Sequence, residues 1–179
     1  MTDLSMLAKE SEADFLMMPG YLLRRCHQIG VAIFLDACKD HDLTPLQFGS
    51  LAALERFGAM DQVRLGGVMA LDRTTILVVL SRLEEGGLIE RRQSDTDRRS
   101  KIVSITPAGR ELLSRARPSA QSAQERILAP LSRRERLRLV ELLGKIADGN
   151  NEESRAPYRG PKKGRANLHS GNLPGKLPT

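Results

Sequence analysis

The stretch DRTTILVVLSRLEEGGLIERRQSDTDRRSKIVSIT, residues 72–106, decides how the rest of the chain is read. Asp72 at its head is a good N-cap, because a carboxylate accepts the amide protons that a first helical turn leaves without partners. Ile76, Val79, Leu80 and Leu83 follow at helical spacing. Gly86 and Gly87 stop the helix, since glycine enters the left-handed region at little cost. Leu88 to Arg92 reads as a short strand, Gln93 to Ser100 as a polar turn and Lys101 to Thr106 as a second strand. The unit is a helix followed by a two-stranded hairpin. Its tip is basic: residues 91–101 hold five basic and two acidic side chains.

Working upstream, Thr44-Pro45-Leu46-Gln47 is a helix start. Thr44 and Gln47 fit the reciprocal capping box, and Pro45 takes the first helical position, where a missing amide proton matters least. Leu46, Leu51 and Leu54 line this helix and Gly58 ends it. Asp61 caps a third, shorter helix through Met69, and Leu71 packs the turn into the organising helix. These helices make a helix-turn-helix, and with the hairpin residues 44–106 predict a winged helix. In that arrangement one helix enters a DNA major groove and the hairpin reaches the adjacent minor groove. The fold class is mainly α with a small β-hairpin wing.

Both flanks are amphipathic helices. The first runs from about Ala13 to Lys39, interrupted near Pro19-Gly20, through Leu22, Leu23, Cys26, Ile29, Ile33, Phe34 and Ala37. One small domain cannot cover so long an apolar face, so it is expected to pack on a partner subunit. Thr106-Pro107 starts another helix carrying Leu112, Leu113 and Ala116, which Pro118 should break or kink. Ser132 and Glu135 form a second capping box, and Leu139, Val140, Leu143 and Ile146 follow until Gly149. The expected organisation is a flexible N-terminus over 1–12 and one domain over 13–148. Within that domain, 13–40 and 107–148 are the dimerisation helices, and a disordered basic tail covers 149–179.

Composition narrows the function. Hydrophobic residues make up 40% of the 179, enough for a core, but with 3% aromatics and no Trp that core is aliphatic. No apolar run approaches the roughly 20 residues of a membrane span, and the N-terminus lacks the layout of a signal peptide. Cys26 and Cys38 are the only thiols, so no disulfide framework is indicated and a reducing cytoplasm is the default. The net charge of +6 is unevenly spread, because residues 149–179 alone hold six basic and two acidic side chains. A nucleic-acid argument therefore rests on local clustering, as on the hairpin. There is no phosphate loop and no GxSxG, and His27, His41 and His169 show no metal-ligand spacing with the cysteines. An enzyme, a cofactor and a membrane partner are not expected.

In the order of its parts the chain resembles the MarR family of bacterial winged-helix regulators. DRTTI at 72–76, RLEEGGLIERR at 82–92, DRR at 97–99 and ITPAG at 105–109 carry the resemblance, which covers roughly residues 15–148. It implies a homodimer whose first and last two helices interleave, with two wings projecting onto a pseudo-palindromic double-stranded operator. It also implies a ligand cleft between the dimerisation helices and the DNA-binding lobe. GYLLRRCHQIGVAIF at 20–34, with LDRTTI downstream, is similar to a branch that often controls breakdown of aromatic acids. The expected protein is thus a repressor released by a small aromatic carboxylate or its thioester. One departure matters: many members place Ser, Thr or Arg on the outward face of the recognition helix where this chain has Leu77 and Val78.

Candidate residues follow, each with its plainer reading. Arg73, Thr74 and Thr75 open the recognition helix, where hydroxyls and helix-end amides meet phosphates or base edges, although Thr75 can simply cap and pack the turn. Leu77 and Val78 are suited to thymine methyl groups, or else widen the packed face. Ser81 and Arg82 lie further along, with Arg82 the better phosphate grip. At the wing tip, Arg98 and Arg99 suit a narrow, electronegative minor groove, and the resemblance favours Arg99. Asp97 would orient one of these arginines by a bidentate pair. Tyr21, Arg24, Arg25 and His27 are the effector candidates: arginine to grip a carboxylate, Tyr or His to orient a ring, against ordinary surface or dimer salt bridges. Cys26, with basic neighbours, and Cys38 raise a redox-sensing repressor as an alternative, their plainer role being small packing residues. A non-specific architectural DNA binder is the third reading.

Overall fold

The computed structural model describes residues 15–94 and 100–160. Among them, six helices and three short strands follow in order: α1 (Pro19–Ala37), α2 (Pro45–Phe57), β1 (Met60–Asp61), α3 (Gln62–Met69), α4 (Arg73–Glu85), β2 (Ile89–Gln93), β3 (Lys101–Ile105), α5 (Pro107–Ile127) and α6 (Arg133–Gly149). Local chemistry sets most boundaries. The Thr44 hydroxyl accepts the Gln47 amide at 3.3 Å while the Gln47 side chain accepts the Thr44 amide at 2.8 Å. Ser132 and Glu135 repeat the exchange at the start of α6. Asp61 takes the Arg64 amide at 2.8 Å.

Helix α4 ends as its glycines require. Gly87 has φ +67°, the left-handed conformation. Its amide donates to Glu84 and that of Leu88 to Leu83, both at 2.9 Å, closing the last open carbonyls of the helix. The chain then enters β2, which pairs antiparallel with β3 in the register Arg91 to Val103. Sequence reasoning saw this hairpin but not β1, which pairs with the other edge of β3, Met60 opposite Val103. Two residues carry no periodicity, so only the long-range pairing reveals them. Strand β3 stops at Ile105 because the Thr106 side chain turns to cap α5, accepting the Gly109 amide at 3.0 Å.

Leu51, Leu54, Leu65, Leu80, Leu83, Val103 and Leu113 are fully buried and knit α2, α3, α4, the sheet and α5 into one lobe. Each buried leucine contributes roughly 1.5–3 kcal/mol, so these side chains dominate the lobe's stability. A second cluster, Phe34 and Cys38 against Ala120 and Ala123, joins α1 to α5. Phe48 of α2 meets Phe34 edge to face at 5.7 Å and links the two clusters. On the surface, Arg126 of α5 pairs with Asp36 of α1 at 2.7 Å.

Three expectations are corrected. The interruption expected near Pro19-Gly20 is a full break: helix α1 begins at Pro19, which sits in its first turn, and Phe15–Met17 form a separate single turn. Pro118 does not break its helix: α5 runs through it, with Ala116, Ala120 and Ala123 on either side buried against the rest of the chain. The unstructured tail does not begin at 149. After α6 the chain makes a further turn, Asn151–Glu153, and keeps a defined course to Gly160.

Helix α6 has no buried residue, although Leu137, Val140, Leu142, Leu143 and Ile146 all lie on it. Leu23, Ile29 and Leu35 of α1 are exposed as well. A strongly amphipathic helix with its apolar side open to water is one whose covering surface is supplied by another molecule.

Candidate nucleic-acid interface

The lobe holds α4 rigidly by its inner face, Ile76, Val79, Leu80 and Leu83, and leaves the outer face free. Arg73, Thr74 and Val78 are exposed there, Val78 at 59%. Leu77 is half-buried and, with Arg73, borders an open groove of about 440 Å³ whose other wall is Gln62, Val63 and Gly66 of α3. Val63 is 78% exposed. Sequence reasoning placed α3 but not its face, and so missed Gln62 and Val63; an apolar side chain one residue into a short helix was the available signal.

The start of α4 is fixed by Asp72. One carboxylate oxygen accepts the Thr75 amide at 2.9 Å and the other accepts the Thr75 hydroxyl at 3.0 Å. These bonds from Thr75 hold the Asp72 carboxyl below the usual carboxylate range, with smaller help from the Thr74 amide and the charge of Arg155. Thr75 is half-buried and its proton is turned toward its own cap, which is the plainer of its two readings. Thr74 beside it faces outward. Further along, the Ser81 hydroxyl donates to Glu85 at 3.1 Å, and Arg82, 71% exposed in its side chain, lies 3.7 Å from the same carboxylate.

The wing root is tied to α4. Arg91 of β2 donates from Nε to Glu84 at 2.8 Å and from a terminal nitrogen to the same oxygen. The hydrogen bond from Arg91 lowers the Glu84 pKa, and the carboxylate raises that of Arg91. Arg91 is only 16% exposed, so it is a strut between helix and wing. Arg92 pairs with Glu90 at the surface, and Glu90 also accepts from Ser104 across the hairpin. Asp97, Arg98 and Arg99 lie outside the described residues.

The effector candidates lie together on the N-terminal half of α1. Phe15 and Tyr21 meet edge to face at 5.3 Å, and the Arg24 guanidinium stands 5.2 Å from the Tyr21 ring centre. Arg24 also donates to Gln28 at 2.9 Å. Arg25 and His27 are exposed. Where α1 and α5 meet the lobe, His41 and Ser119 are joined at 3.2 Å. Of the two thiols Cys26 is exposed, while Cys38 is sealed and burial pushes its thiol pKa up. Among the described residues no group of three or more His, Cys, Asp or Glu is placed to hold a metal, and no helix is long and apolar enough to cross a membrane.

A capped helix presented outward beside a hairpin, in a lobe carried by long flanking helices, defines a winged helix-turn-helix regulator. The MarR family pattern matches residues 43–101. The HTH-type transcriptional repressor NicR of Pseudomonas putida is 34% identical over 137 residues, 76% of this chain and 87% of that protein. The chain belongs to the MarR family of transcription regulators, not to a family of enzymes. Among solved structures, Bordetella bronchiseptica BpsR, described with regulation of its DNA binding by 6-hydroxynicotinic acid, is 36% identical. It superposes with a TM-score of 0.71 over 75% of this chain and 96% of that one. The transcriptional repressor CouR, bound to a 23-mer DNA duplex, is 30% identical with a TM-score of 0.70, over 75% and 96% of the two chains.

Proposed function

We propose that this chain is a homodimeric repressor in the cytoplasm that leaves its operator when a small aromatic carboxylate or its thioester binds. The observation that carries the DNA reading is the outward face of α4, with Arg73, Thr74 and Val78 exposed on a helix locked from behind by four buried aliphatic side chains. The recognition helix lies in a major groove, where Thr74 meets base edges and Val78 with Leu77 meets thymine methyls. Arg99 takes the minor groove, with Asp97 orienting one of the two wing-tip arginines. Arg98, Ser81 and Arg82 contact the backbone.

Dimerisation is supported by α6, whose apolar side chains have no cover in the single chain. The effector reading is supported by the Tyr21–Arg24 stack: an aromatic face beside a guanidinium suits a planar acid, with Arg25 and His27 on the same half of the helix. That BpsR responds to 6-hydroxynicotinic acid makes this the first acid to try. Such a ligand must bind the released conformation more tightly than the DNA-bound one, or it shifts nothing. Replacing Arg24 or His27 with Ala raises the acid concentration needed for release while DNA binding persists. If neither change alters it and Cys26→Ser instead abolishes a response to peroxide, the redox reading takes its place, through the exposed Cys26 rather than the sealed Cys38.

A further inference from the structure

The segment that follows α6 does not trail away; it docks on the helix-turn-helix. The Arg159 amide donates to the Gly67 carbonyl of α3 at 2.8 Å. The contact is so close that a Cβ on Gly67 would lie 2.8 Å from the Cβ of Arg159. The segment is also closed on itself. Asn151 accepts the Tyr158 amide at 2.8 Å through its side-chain oxygen. Two nitrogens of Arg159 each lie 2.7 Å from one oxygen of Glu152. Arg155, on the same loop, is exposed and makes no ion pair among the described residues. Its charge is the smallest of the influences that lower the Asp72 carboxyl at the head of α4.

The location has a physical meaning. In a helix-turn-helix the first helix crosses the phosphate backbone and the second enters the groove by its N-terminal residues. Here these are α3 and the start of α4, and the loop docks on α3. We propose that residues 151–160 are an added part of the DNA-binding head, with the exposed Arg155 of this docked loop as a phosphate contact. The proposal rests on the DNA-binding reading above. Lys162, Lys163 and Arg165, which follow in the sequence, carry the same sign of charge. The loop carries no groove-reading element, so its contribution is independent of sequence and sensitive to salt.

A double-substitution cycle in the full chain tests this. Gly67→Ala lies in a helix, where alanine is the better former, so α3 persists while the docking contact is blocked. The probe is a duplex of the region upstream of the chain's own coding sequence, titrated at several salt concentrations. Arg155→Ala is expected to weaken binding about eightfold at 0.1 M salt and to lower the salt slope by about one, the yield of one phosphate contact. Gly67→Ala is expected to do the same, and the double variant to be no weaker than either single one. Hydrogen exchange is expected to show the Arg159 amide protected in the parent and unprotected in Gly67→Ala. Parent-like binding by Arg155→Ala, or tighter binding that marks the loop as a shield, overturns the proposal, as do additive losses or an unprotected Arg159 amide in the parent. A parent that binds no duplex at all sinks the repressor reading as well, which separates the two failures.

Discussion

Glu84 is the carboxylate that anchors the wing to the recognition helix, and its removal has a calculable cost. In Glu84→Ala the Arg91 guanidinium, 16% exposed, loses two hydrogen bonds to one carboxylate oxygen. Hydrogen bonds to charged groups contribute about 1.5–3 kcal/mol. The Glu84 side chain is 38% exposed, so solvent screening discounts this to about 1–2 kcal/mol. For a domain of this size that corresponds to a melting temperature lower by roughly 2–8 °C. The cost also depends on pH. Arg91 holds the Glu84 carboxyl below its ordinary value, so its stabilisation is complete above about pH 4.3 and is lost as pH falls through the lowered folded value. The melting temperatures of parent and variant should therefore differ at pH 7 and converge as pH falls through the lowered Glu84 value. Differential scanning calorimetry across that range measures both. Equal melting at pH 7, or a gap unchanged by acid, would refute the strut.

Gly109→Ala would put a Cβ 2.1 Å from the Leu88 carbonyl oxygen, and the upper part of the usual 1–3 kcal/mol overpacking cost outweighs the roughly 1 kcal/mol gained in helix propensity. Its melting temperature falls by several degrees; a rise would mean that the backbone at Leu88 gives way. Val140→Asp places an uncompensated charge on the apolar side of α6, and should weaken the dimer by at least about 3 kcal/mol, over a hundredfold, as read by sedimentation. Thr74→Ala should reorder a panel of operator variants more than it lowers non-specific affinity. Arg99→Ala should cost about 1–3 kcal/mol on every site, most on those with narrow A·T-rich flanks, and reduce the salt slope by about one. Equal losses for the two variants across the panel would mean that α4 does not read bases.

The parts legible in the sequence are those whose chemistry is local. The caps at Thr44, Asp61, Asp72 and Ser132 each act within three residues, and the chain places them where the sequence does. The double glycine after Glu85 is equally local. What escaped depends on distant partners. Strand β1 exists only through β3, and α5 passes Pro118 with buried alanines packed on either side of it. The loop after α6 docks through a backbone bond from Arg159 to Gly67 and has no apolar pattern of its own, so periodicity is blind to it. Of the candidate site, Arg73, Thr74 and Val78 face outward as read, while Arg91, counted with the basic tip, belongs to the wing's anchor.

The central claim is that DNA recognition and acid recognition are coupled in one dimer. It is tested most directly by measuring binding of the purified protein to its own upstream duplex and to a shuffled duplex of equal composition, with and without 6-hydroxynicotinic acid and related aromatic acids. The account predicts tighter binding to the upstream duplex and its loss, in proportion to concentration, with at least one of these acids. Equal affinity for both duplexes, unmoved by any of the acids, would contradict it.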